Sequence, residues 1–253
     1  MANELVTLDG YPLTGATRDG VWKRLGEIEG WWDSPPPRRQ RADRTNGDGS
    51  FSTPIEYGNR LITYEGRVIS KNHDYLHQAA GILTSLGHRG NTKFLVQGHG
   101  PTQWAMVDPR GPVKTSFETD SYLNFQIPLE AIDPFKYGES YAVPGNTTDP
   151  ASLFHRGTVP AWPVVTVSAS SSSGYTLTLN GRQVVVTRAI ASTAPHEIDF
   201  KTGILRVDGA VVRGGLSTAN FSPINPGMPQ NMSISTGTGS YGSITVRYSD
   251  TYI

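Results

Sequence analysis

One stretch of this chain, residues 72–87, carries apolar residues at helical spacing, and the rest is cut into short alternating runs by turn residues. In "NHDYLHQAAGILTSLG" the residues Tyr75, Leu76, Ala79, Ala80, Leu83 and Leu86 recur every three or four positions. Asn72 stands where an N-cap belongs and Gly87 where a helix ends, so the spacing predicts one amphipathic helix over 73–86. Elsewhere 28 glycines and 18 prolines punctuate the chain. Turn residues at that density leave room for short strands and little for further helices.

The runs between the turns fit strands. "RLITYEGRVIS" (60–70), "TKFLVQG" (92–98), "TQWAMVD" (102–108) and "YLNFQIPLEAI" (122–132) alternate with the period of a half-buried strand. From Pro144 to Pro160 the periodicity stops, and "PGNTTDPASLFHRGTVP" reads as a linker into a second domain. Beyond it "WPVVTVSA" is an apolar strand that suits pairing with "YTLTLNG". Asn180-Gly181 and Asp208-Gly209 tolerate the positive φ of two-residue hairpins, and Thr202-Gly203 marks another turn. In the closing "YGSITVRYSDTYI", Ile244, Val246 and Tyr248 alternate with Thr245 and Arg247. The expected fold is mainly β in two domains: a β-rich domain with one helix (1–143), a linker (144–160) and an all-β sandwich (161–253).

Composition removes several function classes. With no cysteine, there is no disulfide framework, thiolate metal site or cysteine nucleophile. Basic and acidic side chains number 22 each, so no overall field draws nucleic acid or anionic lipid. The densest basic run, "RRQRADR" (38–44), has no interleaved aromatic residues on which bases would stack, and reads as a solvated loop. The first residues lack the apolar core of a signal peptide, and no later run approaches a membrane span. The expectation is a cytoplasmically made chain with no membrane insertion.

Three motifs invite chemistry and each has a plainer reading. His73 and His77 lie one turn apart, as in zinc-peptidase helices, but Asp74 replaces the glutamate base and no third ligand follows at the usual spacing. They read as two partly exposed helix histidines. "GTGSYG" (237–242) matches a dinucleotide fingerprint but precedes a strand, where that mechanism needs a helix. In "HEIDF" (196–200), Glu197 and Asp199 form the solvent face of a strand whose buried face is Ile198 and Phe200. No catalytic residue, cofactor site or metal site is therefore assigned. The aromatics Trp31, Trp32, Trp104, Trp162, Tyr175 and Tyr252 are candidates either for core packing or for an exposed binding face.

The order of the segments adds a resemblance. "GWWDSP" (30–35), "NGDGSF" (46–51), "LEAIDPFKYGE" (129–139), "HRGTVPAWPVVTVSA" (155–169), "IDFKTGILRVDGAVV" (198–212) and "NPGMPQNMSIS" (225–235) follow one another along nearly the whole chain. So ordered, with G-T-x-P-A-x-P, D-P-x-x-Y-G and I-D-x-x-T-G as markers, the sequence resembles the distal tail proteins of long, non-contractile-tailed bacteriophages.

The resemblance implies an N-terminal β-sandwich carrying a helix and a C-terminal galectin-like sandwich. It implies a structural, non-enzymatic virion protein at the phage tail tip. Its partners would be five further copies in a hexameric ring, the tail tube protein and a hub or fibre protein, with a central channel for DNA. On that reading Arg38, Arg39, Arg41, Arg44, Trp31 and Trp32 are the candidate interface, with helix 73–86. Gly157, Pro160, Trp162 and Pro163 form the interdomain joint, Trp162 anchoring the first strand beyond it. The alternative is a lectin-like protein that contacts host-surface carbohydrate through the second sandwich, and an enzyme has little support.

Overall fold

The computed structural model describes all residues except 1–3, 39–43, 47, 49, 52–54 and 238–240. The chain divides into two units, Met1–Lys136 with Ile253, and Tyr137–Tyr252.

The first unit contains β1 (Leu5–Leu8), β2 (Tyr11–Pro12), β3 (Gly15–Thr17), β4 (Gly20–Arg24), β5 (Pro37–Arg38), β6 (Glu56–Tyr57) and β7 (Arg60–Ile69). The helix α1 (His73–Ser85) follows, then β8 (Thr92–Gln97), β9 (Gln103–Pro109), β10 (Lys114–Thr119) and β11 (Tyr122–Ala131). One antiparallel layer runs β2-β1-β8-β9 and the other β11-β7-β4-β3. Strand β11 pairs with β7 along its whole length; on its other edge it meets β10 first and the end of β9 last.

Alternation sends one row from each strand inward. Val6, Leu8, Phe94, Val96, Ala105 and Val107 from one layer share a core with Trp22, Ile62, Tyr64, Val68, Phe125 and Ile127 from the other. Helix α1 adds Leu76, Ala79 and Leu83, the centre of its apolar stripe. Its ends are as the sequence predicts: the Asn72 side chain accepts from the Asp74 amide at 2.9 Å, and Gly87 beyond the last turn has φ 72°.

The second unit opens with β12 (Lys136–Asn146) and β13 (Ala151–Phe154). Then come β14 (Val164–Ala169), β15 (Tyr175–Leu179), β16 (Arg182–Val186), β17 (His196–Asp199), β18 (Ile204–Val207), β19 (Ala210–Val212), β20 (Leu216–Ala219), β21 (Pro229–Thr236) and β22 (Gly242–Tyr252). Its layers run β19-β18-β17-β14-β22-β12 and β13-β21-β15-β16-β20. Val165, Val167, Ile198, Ile244 and Val246 from one layer pack with Leu153, Leu177, Val184, Met232 and Ile234 from the other. Asn180-Gly181 (φ 53° and 73°) and Asp208-Gly209 (φ 49° and 78°) each close a hairpin with two residues, as read from the sequence. Both units are thus β-rich sandwiches, and among the described residues no helix is long and apolar enough to cross a membrane.

Two expectations are corrected. The strand "WPVVTVSA" does not pair with "YTLTLNG": β14 lies between β17 and β22, while β15 lies between β16 and β21 in the other layer. The polar loop that follows β14 carries the chain across to the second layer, a change that local hydropathy does not record. The stretch 144–160, expected as a linker or domain entry, lies inside the second unit. Asn146 accepts at 2.8 Å from the amides of both Thr148 and Asp149, making a tight turn, and β13 then enters the second core through Ala151 and Leu153. The unit boundary falls at Lys136/Tyr137.

Gly66 occupies an inward position of β7 directly opposite Phe125, and a methyl group there would lie 2.3 Å from the ring's tip. The ring fills the space a side chain would take, against Trp22 and Tyr64. Gly66→Ala is expected to lower stability by about 1–3 kcal/mol through overpacking. Urea denaturation will read this as a lower midpoint, and combining it with Phe125→Leu will cost less than the sum of the two changes.

Candidate assembly surfaces

The segment 30–33 separates the two adjacent tryptophans. Gly30 has φ 75°, and a side chain there would collide with the carbonyl of Leu61, so the turn needs glycine. Trp31 is fully buried against Phe94, whereas Trp32 is 46% exposed with its ring edge-on to His99. The expected interface pair therefore splits. Trp31 is core, and Trp32 is surface.

Two buried cations hold this turn. Arg60 donates through Nη1 to the carbonyls of Gly30 (2.8 Å), Trp31 (3.2 Å) and Asp33 (2.6 Å), and through Nε to Pro134 (2.9 Å). Lys136 donates to the Trp31 carbonyl at 2.9 Å, its Nζ 5.5 and 5.4 Å from the rings of Trp31 and Trp32. Burial, with the Arg60 charge beside it, pushes the Lys136 ammonium down to about 8. These cations have structural work to do: they satisfy carbonyl oxygens that the sheets leave unpaired.

Of the basic run, Arg38 ends β5 and Arg44 follows it in the chain before β6. Arg38 pairs with Glu56 at 3.1 Å, but both side chains are mostly exposed, so the pair contributes little to stability. Arg44 lies over the ring of Phe51, and Phe51 and Ile55 are exposed. Arg39 and Arg41 lie outside the described residues.

The outward face of α1 is another surface. His73 and His77 are exposed, and their rings pack on Phe117 of β10, itself 40% exposed. Gly81, also exposed, has nothing within 4 Å of where a side chain would start.

In the second unit the stretch from His155 to Pro163 is stitched to the chain's last strand. The Asp250 carboxylate meets His155 Nδ1 at 3.1 Å and accepts from the Arg156 amide at 2.8 Å. His155 Nε2 faces the Val159 carbonyl at 2.6 Å, and the amides of Thr158 and Val159 both donate to the Thr251 carbonyl. A side chain at Gly157 would lie 2.0 Å from that same carbonyl, so only glycine fits. Tyr141 donates to the Glu139 and Asp250 carboxylates; burial first, and then these charges, push its phenol up.

The residues expected at the interdomain joint, Gly157, Pro160, Trp162 and Pro163, all lie inside the second unit. Pro163 is buried and Pro160 exposed. Trp162 is 42% exposed, and its buried neighbour Ala161, bridged to Ile224, fixes the strand start instead. The sequence missed His155 and Asp250, because their 95-residue separation leaves no local signal.

The other motifs have structural partners. Asp199 caps the turn after β17 by accepting from the Lys201 and Thr202 amides, and Glu197 faces Arg206 at 3.7 Å. Burial, with Arg188 nearby, lowers the pKa of His196, whose Nδ1 is paired with the Tyr175 hydroxyl at 3.2 Å. "GTGSYG" runs into β22, a strand, with residues 238–240 outside the described part. Tyr175 and Tyr252 are buried, and Trp104 is half-buried under Lys93. A shallow cavity of about 210 Å³ in this unit is lined by serine, threonine, glycine and valine residues with Tyr175, whose ring is itself buried. Sugar stacking needs exposed rings that this cavity does not offer. Among the described residues no three His, Asp or Glu side chains gather to hold a metal ion.

Residues 156–252 match the family model described as siphovirus-type tail component, C-terminal domain. The matched residues lie within the second unit, and the match agrees with the resemblance in the sequence. Across the whole chain the fold is similar to that of the SPP1 Dit protein, described as a paradigm of the hub adsorption apparatus in phages infecting Gram-positive bacteria. The TM-score is 0.73 at 13% identity, covering 99% of each chain. Chains of the phage P2 baseplate in its activated conformation, with Ca and with Sr, are also similar, with 9% and 8% identity and TM-scores of 0.46 and 0.47 over 97% of this chain and 98% of theirs. None of the curated proteins matches the chain.

The buried ammonium of Lys136 sets a pH dependence. Its folded value is about 8, below the roughly 10.4 of a free lysine, so between these values the unfolded chain binds more protons. Stability should rise from pH 8 to about 9.5, by up to about 1.4 kcal/mol per pH unit. Above pH 10 the trend reverses, because Tyr64, Tyr141 and Tyr175 are pushed up in the fold and ionise more easily when unfolded. Lys136→Met should abolish the rise in denaturation midpoint between pH 8 and 9.5.

Proposed function

We propose that this protein is a distal tail component of a long, non-contractile phage tail. Six copies would form a ring that joins the tail tube to the hub or fibre protein, leaving a channel for DNA. The observation that carries the reading is the joint match: a tail-component family over residues 156–252, and the fold of a hub protein over 99% of the chain. The virion is then its place of action, and protein surfaces are its means.

Local features support an assembly role. A ring closes by heterologous contacts, in which one patch of each copy meets a different patch of the next. Arg38, Trp32 and the outward face of α1 offer exposed side chains. Gly81 fits the same reading, since a glycine in an open helix interior costs about 1 kcal/mol relative to alanine. Nothing within its unit requires that cost.

The test is native mass spectrometry and negative-stain imaging of the purified full-length chain, alone and with the tail tube protein. Sixfold rings with a central pore are expected; a chain that stays monomeric at micromolar concentration with the tube protein present overturns the reading. Gly81→Ala should stabilise the single chain by about 1 kcal/mol while weakening ring formation. Replacing Arg38, Arg39, Arg41 and Arg44 together by Ser should leave rings that no longer retain the hub protein in co-sedimentation. Rings that still retain it would remove these arginines from the account.

A further inference from the structure

We propose that His73 and His77 form a surface chelate for a divalent transition-metal ion that favours a square or tetragonal field, such as Ni²⁺ or Cu²⁺. Their Nε2 atoms are 2.9 Å apart, with ring centroids 4.5 Å apart and planes at 88°. Imidazole nitrogens bind such ions at about 2.0–2.1 Å. Two nitrogens at that length on adjacent corners of a square are about 2.9 Å apart, whereas tetrahedral corners require about 3.3 Å. The separation in the helix matches the square arrangement.

The pair is also held in place. Position i and i+4 on α1 set the rings over one another. Phe117 of β10 packs beneath both, its centroid 5.7 Å from His73 and 4.7 Å from His77, so neither ring turns away without losing that contact. Both histidines are exposed, and an ion reaches them from solvent.

Without metal, one Nε2 carries the proton that bridges the two nitrogens. With metal, both rings carry their proton on Nδ1 and present the Nε2 lone pairs to the ion. Because no third His, Asp or Glu joins them among the described residues, the remaining corners belong to water or to a ligand from another molecule. This distinguishes the site from a zinc-peptidase helix, which gathers three protein ligands. The proposal does not depend on the tail-tip reading.

The experiment titrates the tag-free, full-length protein with NiCl₂ near neutral pH by isothermal calorimetry, beside His73→Ala and His77→Ala. Circular dichroism establishes that both variants keep their fold. One ion per chain is expected, weakened about 100-fold or more in either variant, because the second imidazole binds as an intramolecular ligand. With Cu²⁺, electron paramagnetic resonance should give a tetragonal spectrum with two coupled nitrogens, and the variants should lose at least one of them. Equal Ni²⁺ affinity in the wild type and His77→Ala overturns the proposal. So does binding that disappears instead with His88→Ala or His99→Ala.

Discussion

The first unit depends on the buried guanidinium of Arg60. From the first position of β7 it bonds the carbonyls of Gly30, Trp31 and Asp33 on one segment and of Pro134 on another. Those four oxygens belong to irregular backbone that no strand pairs, and left bare they would cost about 1–3 kcal/mol each. A hydrophobic residue of similar volume would fill the space and leave the oxygens unsatisfied. Lys136 reinforces the same turn from the other end of the unit. The carbonyls of the turn thus explain why two cations are buried side by side, an arrangement that Coulomb repulsion alone would forbid.

The second unit solves its equivalent problem with the opposite charge. Asp250, near the end of β22, gathers His155, the Arg156 amide and the Tyr141 hydroxyl, while the Thr251 carbonyl receives the Thr158 and Val159 amides. The last strand is therefore the splint for the stretch that leads into β14. Gly157 is the steric condition for it, since any side chain would strike the Thr251 carbonyl. In both units a charged side chain replaces secondary structure where the backbone is irregular.

This arrangement also explains what the sequence disclosed. Helix 73–85, the inward rows of β7, β8, β9, β11 and β22, and the hairpins at Asn180-Gly181 and Asp208-Gly209 follow from local periodicity and turn chemistry, which act within a few residues. The assignment of β14 and β15 to different layers was not legible, because each strand alternates alike whichever neighbour it has. The stretch 144–160 read as a linker because its holding groups, Asp250 and Thr251, lie about a hundred residues away. Trp31 and Trp32 are identical in sequence terms, and only the positive φ at Gly30 and the Arg60 bonds decide which faces the core. Chain order, by contrast, carried the resemblance to distal tail proteins, since order integrates over distances that no single motif spans.

An assembly reading leaves the buried charges inside each unit and puts recognition on what remains exposed. Arg60, Lys136, His155 and Asp250 are buried and bonded within their own units, so they hold surfaces in place without forming them. On the proposed function, the exposed groups, Arg38, Trp32 and the α1 face around Gly81 and Phe117, are the candidate contacts. Such contacts trade the small internal cost of an exposed aromatic or an open helical glycine for contact area between chains. On the proposed function, that trade belongs to a folded single chain on the way to a larger structure.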